Sequence, residues 1–337
     1  MIKNILEKVI AKQHLTFDES FKVMNSIMNG EVNNSQLAGL LIGLKSKGKS
    51  STEIAGFASA MRERSTKIKT NGKTTIDVCG TGGDNSGTFN ISTAVAFVVA
   101  GAGISVAKHG NRSISSLCGS ADVLQELGIN INLAPEQAES ALHKIGIAFL
   151  FAPNFHPAMK HAAPVRKELG VKTIFNMLGP LTNPAGVKHQ LIGTFDERAA
   201  ELMCAAAEYL GFEKVCFVCT NKRFDEILLK GETKVFEFDR KLGTKTYVIS
   251  NETFSYPKVP LEEIAGGDAK TNAEIILSVL KDKTLNGAFY TVCANAAMAL
   301  YIANYSNDLE VCKQAAEASI HSDLAYQKLI ALRDFAG

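Results

Sequence analysis

The stretch Thr75-Ile76-Asp77-Val78-Cys79-Gly80-Thr81-Gly82-Gly83-Asp84-Asn85-Ser86-Gly87-Thr88-Phe89-Asn90-Ile91-Ser92-Thr93 is where the chain changes period. A short apolar run ends in three glycines and then meets hydroxyl and amide side chains suited to a helix start. This reads as a strand through Cys79, a glycine-rich loop over 80–87, and a helix over 92–102. A second strand follows at 104–107, then a polar loop over 108–119 and a helix over 121–127. Further strand-like runs fall at 148–151, 190–194 and 215–219. Alternating strands and helices imply a largely parallel α/β sheet. Its ligands belong in the loops after the carboxyl ends of the strands.

Upstream of this stretch the pattern is helical only. Apolar residues recur at Ile2, Ile5, Leu6, Val9 and Ile10, and again at Phe21, Met24, Ile27 and Met28 behind a Thr16/Glu19 capping box. Leu37, Leu40, Leu41 and Leu44 form a third stripe, and Ile54, Phe57, Ala58 and Met61 a fourth. The charged, Thr/Asn/Gly-rich residues 62–74 read as a boundary. Residues 43–50, Gly-Leu-Lys-Ser-Lys-Gly-Lys-Ser, satisfy the P-loop pattern. A P-loop needs a strand before it so that backbone N–H groups can cradle phosphate. Here a helix precedes it, so Gly48 reads as a helix C-cap and Ser50 with Glu53 as the next capping box.

The 337 residues suffice for about two domains. A 46% hydrophobic and 21% charged composition excludes a disordered chain, and a net charge of +2 offers no basic field for nucleic acid or an acidic membrane surface. Any anion site must therefore be local. The longest apolar run, 94–107, is shorter than the roughly 20 residues of a membrane helix. Glu7 and Lys8 interrupt any signal-peptide core. Seven cysteines without metal spacing read as reduced thiols, which suits the cytoplasm.

Gly80, Gly82 and Gly83 let backbone approach an anion, and the helix start after them offers free N–H groups and a positive dipole end. The same features also describe a tight turn with an ordinary N-cap. The loop from Lys108 through Asn111, with Ser115, Ser116 and Ser120 behind it, adds a point charge and directional donors at the same sheet edge. Asp225-Glu226, after the run 215–219, can hold Mg2+ together with phosphate oxygens, or be a solvated pair. His156, Lys160, His161 and Arg166 are grouped without zinc spacing, and Arg166 could fork onto a carboxylate. Residues 178–184 are dense in turn formers and read as a wall or hinge. No G-x-S-x-G motif and no tryptophan is present.

In order along nearly the whole chain, G-T-G-G-D at 80–84, N-I-S-T at 90–93, K-H-G-N-R at 108–112, G-S-A-D at 119–122, H-P-A-M-K at 156–160, G-P-L-T-N-P at 179–184 and D-E at 225–226 resemble the anthranilate phosphoribosyltransferase family. The resemblance implies a small all-helical domain, residues 1–68 and 164–187, that forms homodimers. It also implies a larger α/β domain, 69–163 and 188–337, with a mostly parallel central sheet of the nucleoside phosphorylase/phosphoribosyltransferase kind. It implies transfer of a phosphoribosyl group from 5-phosphoribosyl 1-diphosphate to anthranilate in tryptophan biosynthesis, with Mg2+, two ions per subunit. Gly80, Thr81, Gly82, Gly83, Asp84, Thr88, Asn90, Ile91, Ser92, Thr93, Lys108, Ser115, Ser116 and Ser120 would then hold phosphoribosyl diphosphate. Gly80, His109, Asn111, His156, Arg166 and Gly179 would hold anthranilate, and Ser92, Asp225 and Glu226 the metal. No residue stands out as a strong general base. Leu117-Cys118 and Arg223-Phe224 depart from the commoner pattern without removing a ligand. A pyrimidine-nucleoside phosphorylase and a noncatalytic nucleic-acid-binding relative are the alternatives. The first would not need the Asp225–Glu226 metal site, and the second would need a basic surface.

Overall fold

The stripes and caps read above each become a helix: α1 (Ile2–Ile10), α2 (Phe17–Met28), α3 (Asn34–Lys47) and α4 (Ser51–Glu63). A computed structural model describes residues 1–82, 87–113 and 117–335. The reciprocal capping boxes Thr16/Glu19 and Ser50/Glu53 are both formed. Gly48 closes α3 with φ +87°, a backbone angle that L side chains rarely adopt. Residues 43–50 are thus a helix–cap–helix junction.

After the boundary come β1 (Thr75–Gly80), α5 (Ile91–Gly101), β2 (Ser105–Gly110), α6 (Ser120–Glu126), α7 (Pro135–Ile145) and β3 (Ile147–Phe151). The chain then runs through α8 (Ala152–Phe155), α9 (Ala163–Leu169) and α10 (Phe175–Leu178) before re-entering the sheet. It continues with β4 (His189–Gly193), α11 (Glu197–Ala207), β5 (Lys214–Thr220), β6 (Thr233–Asp239) and β7 (Gly243–Ile249). Four helices finish the described chain: α12 (Ala269–Leu280), α13 (Gly287–Ile302), α14 (Leu309–His321) and α15 (Leu324–Arg333).

The sheet order is β3-β2-β1-β4-β5-β6-β7. The first five strands are parallel, as expected, whereas β6 and β7 are antiparallel additions that the apolar pattern did not single out. β7 is mostly exposed, so it lacks the apolar alternation by which strands are recognised.

Alternate residues of the central strands enter two different cores. Leu191, Cys216 and Val218 join α5, α13, α14 and α15 on one face. Ile192, Val215 and Phe217 join α11 and the helical unit on the other. The N-terminal helices therefore have no separate core. Arg62 fastens the join: half-buried at the end of α4, it donates from Nε to the Leu181 carbonyl and from Nη1 to the Leu210 carbonyl, both at 2.6 Å. The residue that opens the boundary stretch 62–74 thus also ties α4 to the rest of the chain.

Candidate active site

The strand order reverses between β1 and β4, with β2 and β3 on one side and β5 on the other. Such a switch point leaves a crevice at the carboxyl ends of the strands. There the last residues of the two strands, Gly80 and Gly193, are register partners. A Cβ on Gly80 would stand 2.5 Å from Asp225 Oδ2, and one on Gly193 would collide with the Asp225 carbonyl. Asp225 therefore sits directly on the two strand ends, and only glycine leaves it room.

The acidic pair reaches the two groups of backbone donors that the glycine loop supplies. Gly82, at φ +65°, donates its N–H to Asp225 Oδ2 at 2.9 Å. The Ser92 N–H, in the first turn of α5, donates to Glu226 Oε1 at 3.2 Å. Asn90, the N-cap residue, makes no side-chain cap. The amino end of α5 is thus served by a carboxylate 134 residues away in sequence. A helix start that accepts one anion in place of a local cap can accept another. The Thr220 hydroxyl holds the Glu226 carbonyl at 2.6 Å. The far limb of the loop is pinned by residues 264–266: Phe89 N–H donates to the Ile264 carbonyl, Gly266 N–H to Gly87, and Thr88 bridges to Ala265. Ile91 is fully buried in the core, so its backbone, and not its side chain, is on offer.

Lys108 and His109 were expected in a loop; both lie inside β2. The strand runs on because its polar members find partners. Lys108 is buried and its Nζ donates to the Val78 carbonyl at 2.7 Å and to Ser92 Oγ at 3.2 Å. Burial pulls its pKa down, while Asp77 pulls it up. Asp77 is a hub that the sequence reading passed over. Its Oδ1 accepts from the His109 N–H at 3.1 Å, and its Oδ2 from Asn183 at 2.8 Å and from Gln190 at 3.0 Å. Burial raises its pKa against the pull of Lys108 and these donors. One carboxylate thus fixes β2, β4 and the segment after α10 around β1. Gly193 was missed too, because nothing near it in sequence connects it to Asp225.

The two histidines of the expected aryl site meet. The His109 and His156 rings lie 5.1 Å apart and both are buried. Burial first, then the neighbouring His156, depresses His109 to about 3; burial depresses His156 to about 4. The backbones of Gly179 and Thr182 lie beside the two rings and act weakly in the opposite sense. Both rings are therefore neutral at ordinary pH. Arg166 lies within α9, its guanidinium over the Phe175 ring at 5.0 Å, with no carboxylate paired to it among the described residues. Phe175 begins α10, which leads into Gly179. Asn111 is exposed, and its carbonyl takes the Ser120 hydroxyl at 3.3 Å. Gly83, Asp84, Ser115 and Ser116 lie outside the described residues.

Buried polar atoms without a partner among the described residues gather here: Thr81 Oγ1, Asn90 Oδ1, Thr93 Oγ1 and Nε2 of both histidines. Groups of this kind await a ligand or solvent. The donor set beside them, two carboxylates and the Ser92 hydroxyl, is all hard oxygen, which fits Mg2+. Among the described residues no group of three His, Cys, Asp or Glu side chains converges. A cation here would need further oxygens from substrate or water. The seven cysteines are free thiols, and no described helix is long and apolar enough to cross a membrane.

Residues 72–326 match the glycosyl transferase family, a/b domain, and residues 3–65 match its helical bundle domain. The anthranilate phosphoribosyltransferase of Alkaliphilus metalliredigens is 46% identical over 98% of this chain and 96% of that protein. That of Moorella thermoacetica is 45% identical over 98% and 97%. The chain belongs to the anthranilate phosphoribosyltransferase family. Among solved structures, anthranilate phosphoribosyltransferase from Thermus thermophilus superposes with a TM-score of 0.92 at 38% identity, covering 98% of both chains. The Saccharomyces cerevisiae anthranilate phosphoribosyltransferase, solved in complex with PRPP and Mg, superposes with a TM-score of 0.90 at 25% identity, covering 99% of this chain and 97% of that one.

Proposed function

We propose that this chain transfers the phosphoribosyl group of 5-phosphoribosyl 1-diphosphate to the amine of anthranilate, giving N-(5-phosphoribosyl)anthranilate and diphosphate in tryptophan biosynthesis. The observation that carries the reading is the seat of Asp225 and Glu226 on the Gly82 and Ser92 N–H groups at the switch point. This contact between a carboxylate pair and the donors of a glycine loop supports the reading, since a metal–diphosphate substrate needs a cation holder beside an anion holder. In this reading Gly80, Thr81, Gly82, Thr88, Asn90, Ile91, Ser92, Thr93, Lys108 and Ser120 hold the phosphoribosyl diphosphate, joined by Gly83, Asp84, Ser115 and Ser116. Asp225, Glu226 and Ser92 hold Mg2+, two ions per subunit, which when bound neutralises charge on the departing diphosphate.

The aryl amine of anthranilate is a weak nucleophile, so departure of the diphosphate leads the reaction. Lys108, already anchored to Val78 and Ser92, presents fixed positive charge beside the glycine loop and stabilises the charge that develops there. Gly80, Asn111, Arg166, Gly179 and the neutral His109 and His156 orient anthranilate. The guanidinium on Phe175 is poised for a carboxylate. With no strong general base at hand, positioning does most of the work. The helical unit is taken as 1–68 with 164–187, and the α/β unit as 69–163 with 188–337. The helical unit is taken to pair two copies in a cytoplasmic homodimer.

Anthranilate fluorescence should fall when phosphoribosyl diphosphate is added with Mg2+, and should not fall without Mg2+. Unchanged fluorescence together with phosphorolysis of uridine would overturn the reading in favour of a nucleoside phosphorylase.

A further inference from the structure

The residues of the P-loop-like stretch do not make a phosphate loop, yet they line a cavity of about 530 Å³. It opens between the α3–α4 junction, residues 172–177 and the start of α11, and no residue assigned above to the candidate active site lines it. Lys45, Lys47, Lys49, Lys172 and Arg198 face it, against one carboxylate, Asp196.

Not all of this charge is open. Lys47 is locked to Glu53, 2.7 Å from Oε1 and 2.9 Å from Oε2. Arg198 is paired with Glu201. Asp196 remains, although one of its oxygens caps α11 by accepting the Ala199 N–H at 2.8 Å. Lys45, Lys49 and Lys172 are left against Asp196, an excess of two positive charges. Lys49 is half-buried between Lys45 and Lys47, and no carboxylate lies within salt-bridge distance of it among the described residues. Lys172 stands over the Phe195 ring, 3.7 Å from its centroid. A second observation is independent of charge. Thr173 lines the same cavity, is 3% exposed, and its Oγ1 has no hydrogen-bond partner among the described residues.

We infer that this cavity is a second anion site, built for a phosphate dianion. Two uncompensated ammonium charges match the charge of a phosphomonoester or inorganic phosphate near neutral pH. Lysines are point donors that suit phosphate, whereas carboxylate recognition favours an arginine fork, and the one arginine here is already engaged. The Thr173 hydroxyl supplies a buried donor. Phe195, Met177 and Leu202 on the wall would receive an apolar organic part. A ligand here would touch both the helical unit and the α/β unit, away from the switch-point crevice.

Isothermal titration calorimetry at low ionic strength, without Mg2+, tests this with inorganic phosphate and phenyl phosphate as probes. The wild-type chain should bind, Lys49→Ala/Lys172→Ala should weaken binding by about tenfold or more, and Thr173→Val should weaken it severalfold. Gly82→Val, which damages only the glycine loop, should leave this binding in place. Tighter binding of phenyl phosphate would identify a phosphomonoester, and equal binding free phosphate; both outcomes support the dianion site. Wild-type affinity in the double variant, loss of all binding in Gly82→Val, or equally tight binding of citrate would overturn it. Should the double variant lose its circular dichroism spectrum, Lys49→Met alone carries the same comparison. Because binding is also read in Gly82→Val, whose glycine loop is damaged, the result stands apart from whether the chain transfers phosphoribosyl groups.

Discussion

Lys108 and Lys49 both lie beside glycine-bearing stretches that look made for phosphate, and burial lowers the pKa of both. Lys108 lies inside β2, beside the β1 strand whose end opens into the glycine loop. Its ammonium is held by the Val78 carbonyl and Ser92 Oγ, with Asp77 and Glu226 contributing field. Lys49 follows a helix and its glycine C-cap, with two other lysines nearby and Asp196 as its main opposing charge. A motif acquires its chemistry from the element in front of it. After a parallel strand the free N–H groups converge on a crevice. After a helix the glycine ends the helix, and whatever the lysines do they must do as side chains in a cavity.

The sharpest way to break the comparison is at the acidic pair, which exists on the Lys108 side only. Asp225→Asn with Glu226→Gln should lower kcat/KM by on the order of a hundredfold or more, through loss of several kcal/mol of charge stabilisation. A double variant with normal activity and normal Mg2+ response would detach the pair from the reaction. The next effect is on stability. Asp77→Asn replaces an acceptor by a donor opposite Asn183 and Gln190 or opposite the His109 N–H. It should cost about 3 kcal/mol or more, read as a shift of the urea midpoint. An unshifted midpoint would mean the hub is replaceable.

Arg166→Ala should raise KM for anthranilate about tenfold, the loss of one hydrogen bond to a charged group, and move KM for phosphoribosyl diphosphate much less. Arg166→Lys should not restore it fully, since an ammonium lacks the fork. Equal losses for both substrates would make Arg166 a structural residue. The histidine pair gives a smaller, pH-dependent effect. His109 titrates at about 3 and His156 at about 4 when folded, below the roughly 6.5 of an unfolded histidine. The unfolded chain therefore binds more protons, and stability is lost as pH falls through 6.5 toward 4. His109→Asn should flatten that decline between pH 7 and 5 in thermal melts; an unchanged slope would place the acid sensitivity elsewhere. The smallest expected change is at Lys49. Lys49→Ala should keep turnover and both KM values within about twofold, because its cavity shares no wall with the crevice. A selective loss of phosphoribosyl diphosphate binding would remove the contrast drawn above.

The sheet's parallel half was legible because the hydrophobic period changes at Thr75 and the glycines mark where β1 stops. The capping-box and C-cap residues used to place the early helices, Thr16, Glu19, Gly48, Ser50 and Glu53, needed only local spacing. What escaped was polar residues inside strands. Lys108 and His109 look like loop residues until their partners are known, and those partners, Val78, Ser92 and Asp77, lie 16 to 32 residues away. Asp77 in turn depends on Asn183 and Gln190, 106 and 113 residues downstream. Gly193 matters because of Asp225, which no local pattern connects to it. The acidic pair was visible as a pair, but its seat on Gly82 and Ser92 is a property of the folded chain.

Arg62 has a bearing on how the chain is made. Its two carbonyl acceptors lie 119 and 148 residues further on, and the core beneath α1 to α4 is completed by α11 and the sheet. At about 5–20 residues per second, a ribosome needs roughly six to thirty seconds to supply those partners after Arg62 is joined. During that interval four amphipathic helices are outside or leaving the exit tunnel with their apolar faces uncovered. A segment synthesised well before its partners is thus among the last to be buried, and its survival in the nascent state depends on translation speed and on whatever shields it in the meantime.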